Sequence, residues 1–256
     1  MFNSKTKKLV TRQPKLFRSE KDQVVTIWPK VIAISIAVFA ALVIIFYLIF
    51  LAPWFKIKNI EIIGSPTDGI RSELDSLKGH NIFLFSTSKI EKKIINENSN
   101  FSGVKIYRGI PDTIRVSFDD RQPKIVWQSQ GKNYLVDENA IAYKEVSLDG
   151  NKLPVVVDAG NLAVSLPSLI ATNNFLDSIQ STNEELSKLK IHIINYEVGE
   201  TTFQFSAVID NNVKIIFNTL RPISDQIEAF KKVYDQHKND IKQYIDLRVE
   251  GRVYYK

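Results

Sequence analysis

None of the 256 residues is cysteine. This excludes a disulfide framework, thiolate nucleophiles and cysteine metal sites together. Histidine is scarce as well: His80, His192 and His237 lie far apart, with no HExxH or other ligand spacing. His80 follows a helix-ending glycine, where C-terminal capping explains it. His192 alternates with Ile191 and Ile193, which predicts a solvent-facing strand position. There is no glycine-rich phosphate loop and no GxSxG elbow. Serine precedes lysine by three residues at Ser4–Lys7, Ser86–Lys89 and Ser129–Lys132, but the SDN and KTG motifs that an acyl-enzyme would add are missing. Asp119–Asp120 and Glu184–Glu185 fit solvated strand and helix ends; a glycosidase would need a second carboxylate converging from elsewhere. No catalytic, cofactor-binding or metal residue is expected. The sequence describes a protein that binds rather than reacts.

Charge is missing from one long stretch. Val31 to Ala52 holds 22 residues without an Asp, Glu, Lys or Arg. At about 1.5 Å per residue it reaches roughly 33 Å, enough for a hydrocarbon core of about 30 Å. Trp28 and Lys30 precede it, and Trp54 and Lys56 follow, as interfacial anchors would. A signal peptide would have a shorter apolar core and a small-residue cleavage site, whereas this run ends in Phe50, Leu51, Pro53, Trp54 and Phe55. A single transmembrane helix over 31–52 is predicted.

Acidic residues are few in the first thirty positions. Glu20 and Asp22 face eight lysines and arginines there, a net +6 that equals the excess of the whole chain. The positive-inside bias makes 1–30 a basic cytoplasmic tail and sends the C-terminal part outside. The pI of 9.2 therefore reflects topology and contact with anionic membrane lipid. No nucleic acid partner is expected.

Beyond the anchor, FKIKNIEII (55–63) alternates like a strand and stops at Gly64. Ile70, Leu74 and Leu77 predict a short amphipathic helix closed by Gly79. Ser88 and Glu91 form a capping-box pattern before Ile90, Ile94 and Ile95. FSGVKIY (101–107) and TIRVSF (113–118) follow as strands. The order β-α-α-β-β over 55–120 predicts a small α+β domain with both helices on one side of a three-stranded sheet. From 121 to 256 the pattern is β-rich. Strands are expected at 123–128, 132–137, 140–145, 153–158, 190–198, 202–209 and 213–218, with helices at 166–181 and 223–237.

The stretch IDLRVEGRVYYK (245–256) closes this region. Ile245, Leu247 and Val249 alternate with Asp246, Arg248 and Glu250, and Gly251 separates them from one more short strand. Such a strand is expected at a sheet edge, where unpaired backbone groups invite a partner strand. Tyr254 and Tyr255 would anchor the partner, Val253 would offer a backbone donor, and Arg248, Arg252 and Lys256 would pair with acidic partner residues. The competing reading is that these side chains only finish the domain's own sheet.

This layout resembles the cell-division FtsQ/DivIB family over nearly its whole length. The resemblance rests on FKIKNIEIIG (55–64), HNIFLFS (80–86), VKIYRGIPDTIRVSFDDRQP (104–123), YLVD (134–137), LP (153–154) and YIDLR (244–248). Two departures stand out: DENA (137–140) lacks the usual Gly after the Asp-turn, and DDR (119–121) replaces a more typical Glu-Arg. The resemblance implies a basic tail, one anchor, a polypeptide-transport-associated (POTRA) domain over 55–120 and a β-domain over 121–256. It also implies a non-enzymatic division scaffold in the bacterial cytoplasmic membrane at the septum. Its partners would be FtsB/DivIC-like and FtsL-like bitopic coiled-coil proteins and other divisome members, linked to septal peptidoglycan synthesis. The alternative is a POTRA-containing adaptor of another cell-envelope or export complex.

Overall fold

The computed structural model describes residues 28–256 of the chain, so most of the basic tail read at 1–30 lies outside the described residues. Trp28–Phe46 is an α-helix (α1), continued by one π-helical turn over Tyr47–Leu51. Together they make a 24-residue span long and apolar enough to cross a membrane. Ser35 donates its hydroxyl to the carbonyl of Val31 at 2.9 Å, so this hydroxyl is satisfied within the helix.

Pro53 to Lys256 forms a separate compact unit. It opens with a three-stranded sheet, β1 (Asn59–Ile63), β2 (Phe101–Gly109) and β3 (Thr113–Asp120), in the order β1-β3-β2. β1 runs parallel to β3, with Asn59 opposite Thr113, while β2 is antiparallel to β3. A parallel pair needs a long crossover, and α2 (Asp68–Asp75) and α3 (Thr87–Glu97) lie in it. Ile114, Val116 and Phe118 point to one face, as their spacing predicts, and join Ile70, Leu74, Ile82, Ile94, Val104 and Ile106 in one core.

Local signals mislead at two places here. The strand expected over 55–63 begins only at Asn59, because Pro53–Phe55 forms a 3-10 turn and Lys56 makes an isolated bridge with Asn81. The capping box at Ser88 and Glu91 does not form: the N-cap is Ser86. Glu91 instead reaches across to β2, where its Oε1 accepts the Ile106 N–H at 2.7 Å. A buried-edge donor outcompetes the cap for that carboxylate.

The second sheet has ten strands: β4 (Pro123–Ser129), β5 (Lys132–Asp137), β6 (Ile141–Val146), β7 (Val155–Asp158), β8 (Ser168–Leu169), β9 (Ile193–Val198), β10 (Gln204–Ile209), β11 (Lys214–Asn218), β12 (Tyr244–Asp246) and β13 (Tyr254–Tyr255). Their order is β13-β12-β11-β10-β9-β7-β4-β5-β6-β8. Two antiparallel groups meet at β7, which runs parallel to both β4 and β9. α4 (Asn173–Lys188) and α5 (Ile223–His237) supply Phe175, Leu176, Ile179, Ile227 and Phe230 to the core. Phe175 meets Phe205 edge-on at 5.9 Å between centroids, and Phe205 stacks on Phe217 at 5.2 Å. α5 matches its apolar spacing residue for residue. α4 does not begin at 166. Leu166 and Leu169 are exposed, Pro167 interrupts the segment and 168–169 is a strand; the helix starts after Thr172, whose hydroxyl accepts the Phe175 N–H at 3.2 Å.

Arg121 ties the two sheets together. Its guanidinium pairs with Asp137, its Nε donates to the Ser99 carbonyl at 3.0 Å, and it lies 6.0 Å over the Tyr143 ring. Asp137 also accepts the Asn139 and Ile141 N–H groups at 2.9 and 3.0 Å, and the Ser99 hydroxyl donates to the Tyr143 carbonyl at 2.6 Å. The two charged side chains are only 9% and 2% exposed. Burial, with the Asp137 charge nearby, raises the Tyr143 hydroxyl pKa against the opposing effect of Arg121.

Candidate partner-binding edge

The C-terminal segment builds its edge from a short strand and a turn. β12 is held from behind by its parallel pairing to β11, where Ile245 sits opposite Ile215, both fully buried. It stops at Asp246, although the alternation of apolar residues runs on to Val249. The cause is Asp246 itself. Its Oδ1 accepts the Arg248 backbone N–H at 3.0 Å and turns the chain out of the ladder. Leu247 is buried, its N–H donating to the Ile216 carbonyl, while Val249 is 48% exposed. Gly251, at φ +69, makes the return that a residue with a Cβ would resist.

β13 then lies antiparallel to β12, with Tyr255 opposite Ile245 and Tyr254 opposite Asp246, and β13 is one edge of the sheet. Lys256 and Tyr244 exchange backbone bonds of 3.1 and 3.4 Å. In an antiparallel ladder bonded and non-bonded pairs alternate, so the N–H and C=O groups of Tyr255 point away from the sheet, while Val253, one residue before the strand, has no partner in the ladder. Tyr254 and Tyr255 are 47% and 39% exposed. Val253 is half-buried and packs against the core.

The cations divide into two kinds. Arg248 grips Asp246 with both arms of its fork, Nε to Oδ1 at 2.9 Å and NH2 to Oδ2 at 2.7 Å, and donates from NH1 to Gln204 at 2.6 Å. That hydrogen bonding holds the Asp246 carboxyl below its ordinary range, against the opposite effect of partial burial. Arg248 is thus committed to its own domain. Arg252 and Lys256 are exposed, and among the described residues neither side chain has an ion-pair partner. An open groove of about 570 Å³ runs beside the edge, bordered by Glu228, Lys232, Val249, Arg252 and Val253.

The residues singled out for chemistry do not converge. Ser129 is buried and donates to the Leu162 carbonyl at 2.6 Å, while Lys132 pairs with Glu145 at 3.1 Å. Ser86 occupies the N-cap position of α3 without a side-chain hydrogen bond to it, His192 is an exposed partner of Asp210 at 2.9 Å, and among the described residues no group of three His, Asp or Glu could hold a metal. Sequence reasoning missed the contacts that fasten the edge: the Lys256 carbonyl, and a ring stack between His237 and Tyr255. His237 is the last residue of α5, a position with no local sign of a partner 18 residues on.

Comparison with known proteins adds identity to this geometry. The family model for the C-terminal part of cell division protein FtsQ/DivIB matches residues 125–248, from within β4 to just past β12. Cell division protein DivIB of Clostridium acetobutylicum is 26% identical over 222 residues, spanning 79% of this chain and 83% of the relative. Cell division protein FtsQ of Rickettsia bellii is 24% identical over 206 residues, spanning 78% of this chain and 72% of the relative. Residues 125–248 carry the C-terminal domain of the FtsQ/DivIB cell division proteins, and the chain is similar to members of that family over most of its length.

Proposed function

We propose that this division protein is a non-enzymatic scaffold whose edge strand β13 receives a strand from a small bitopic coiled-coil partner of the FtsB/DivIC or FtsL type, linking it to septal peptidoglycan synthesis. In this reading residues 55–120 form the POTRA domain and 121–256 the β-domain, in keeping with two separate cores. Trp28–Leu51 anchors the chain with its N-terminus in the cytoplasm, as the tail's charge directs.

One observation carries the reading: β13 is a sheet edge with outward backbone groups and two exposed tyrosines. The outward donor and acceptor at Tyr255, and the unpaired backbone at Val253 just before the strand, yield only about 0.5–1.5 kcal/mol each. Micromolar binding needs about 8 kcal/mol. Tyr254 and Tyr255, residues of the kind enriched at hot spots, supply the larger share. Arg252 and Lys256 set register against acidic partner residues. Anchoring both proteins in one membrane raises their effective concentration.

The test is capture of the co-expressed coiled-coil partner by the full chain in detergent. Val253→Pro removes an unpaired donor, Tyr254→Ala an exposed ring, and truncation after Gly251 the whole strand. Capture should fall sharply in all three, while the first two variants melt within about 5 °C of the native chain. Undiminished capture in all three moves the contact elsewhere. A reporter active only outside the cytoplasm, fused after Lys256, should be active; silence would refute the orientation.

A further inference from the structure

β13 is a strand of two residues with both side chains exposed, which raises the question of what keeps it in place. Beside its two-residue ladder with β12, much of its main-chain hold gathers at one atom. The Lys256 carbonyl accepts the N–H groups of Lys242 at 2.9 Å, Gln243 at 2.7 Å and Tyr244 at 3.4 Å. These donors follow directly on α5, through a turn in which the Asp240 and Ile241 N–H groups bond the His237 carbonyl at 2.8 and 3.2 Å. The second hold comes from the same place. The half-buried His237 ring lies against Tyr255 with centroids 5.2 Å apart and planes 24° from parallel.

We infer that His237 is a positioning residue for the terminal strand: by stacking on Tyr255 it keeps β13 in register, and thereby preforms the docking edge. The docking consequence rests on the edge reading proposed above. Two residues of ladder are marginal by themselves, so a ring stack of ordinary strength is a large fraction of what fixes the strand. A strand already held in its bound conformation costs a partner less ordering on association. The Nδ1 atom of His237 is 3.5 Å from Asp240 Oδ2. That contact stays within the turn, and the link to β13 is the ring face.

Hydrogen exchange in the full chain in detergent micelles tests this directly, because the Lys242 and Gln243 amides donate to Lys256. His237→Ala should speed exchange at these two amides about two- to tenfold, the range set by loss of one aromatic pair. The core strands should exchange as before. His237→Phe, which keeps a ring, should restore protection, and Asp240→Ala should leave it unchanged. Native protection in His237→Ala, or no rescue by His237→Phe, overturns the inference. Partner capture separates the two ideas. Lost protection with reduced capture supports both, whereas lost protection with undiminished capture upholds the register role and refutes docking on β13.

Discussion

Replacing Arg121 by methionine removes the charge that answers Asp137 while keeping an unbranched apolar stem. Asp137 is 2% exposed, so its carboxylate has no water to turn to. Two of its hydrogen bonds persist, from the Asn139 and Ile141 amides, but neither carries a full charge. The Ser99 carbonyl loses its donor, and Tyr143 loses the cation over its ring. Breaking a buried pair by deleting one member costs about 3–5 kcal/mol. That is a fifth or more of the roughly 5–15 kcal/mol that holds an ordinary fold. For a unit the size of Pro53–Lys256, each kcal/mol moves the midpoint by about 2–4 °C, so melting should fall by about 6–20 °C. Arg121→Lys keeps the charge but not the fork, losing the Nε bond and the flat stacking surface, and should fall about 1–2 kcal/mol. Thermal unfolding followed by circular dichroism in micelles gives both numbers. An Arg121→Met midpoint within about 2 °C of native would show that the ion pair contributes little and that apolar packing alone joins the sheets.

Three further outcomes can be measured in the same preparation. Gly64→Ala should destabilise by about 1–3 kcal/mol, since Gly64 sits at φ +111 and an added Cβ would meet Phe118 Cβ at 3.0 Å; an unchanged midpoint would contradict that crowding. Thr172→Ala should cost about 1 kcal/mol by uncapping α4, visible as a midpoint about 2–4 °C lower. Because Arg248 lowers the folded pKa of Asp246, the stabilisation is present above the unfolded value of about 3.9 and disappears as pH falls through the folded one. Carboxyl NMR titration should place the native midpoint below 3.9 and return it towards the ordinary range in Arg248→Ala; equal midpoints would dismiss the Asp246–Arg248 contact.

What was legible in the sequence follows the reach of the forces involved. α5 is fixed by its own apolar stripe, Ile223, Ile227, Phe230 and Tyr234, so periodicity finds it to the residue. β10 and β11 likewise alternate over a buried face and lie close to their expected limits. α4 was misplaced because Leu166 and Leu169 supply apolar spacing without burial, whereas Thr172 supplies the real start. Ser88 and Glu91 have the spacing of a cap, yet the nearby β2 edge claims the carboxylate. At the candidate edge, chain order foretold the place of β13 but not the fate of Arg248, whose Asp246 partner lies two residues away and ends the strand that the alternation extends. Arg121–Asp137 and His237–Tyr255 join residues brought together only by tertiary folding. No local pattern announces them.

The position of β7 has a kinetic consequence. Among the described strands it alone is stitched by parallel pairing to both halves of the large sheet, and each join spans a long intervening segment. Its partner β9 begins at Ile193, 35 residues beyond the end of β7 at Asp158. Distant pairings form slowly, because loop closure precedes any gain in contacts. Chains also tend to fold in the order they are made. The β4–β5–β6 meander can therefore pair early, the two halves join only once β9 is available, and β12 and β13 are laid on afterwards. The docking strand is thus the last of the described strands to be synthesised, and it rests on a neighbour that itself rests on β11. Under the docking proposal, a nascent or truncated chain offers its partner nothing to pair with. Recruitment then acts as a completion signal, given only by chains whose sheet is finished.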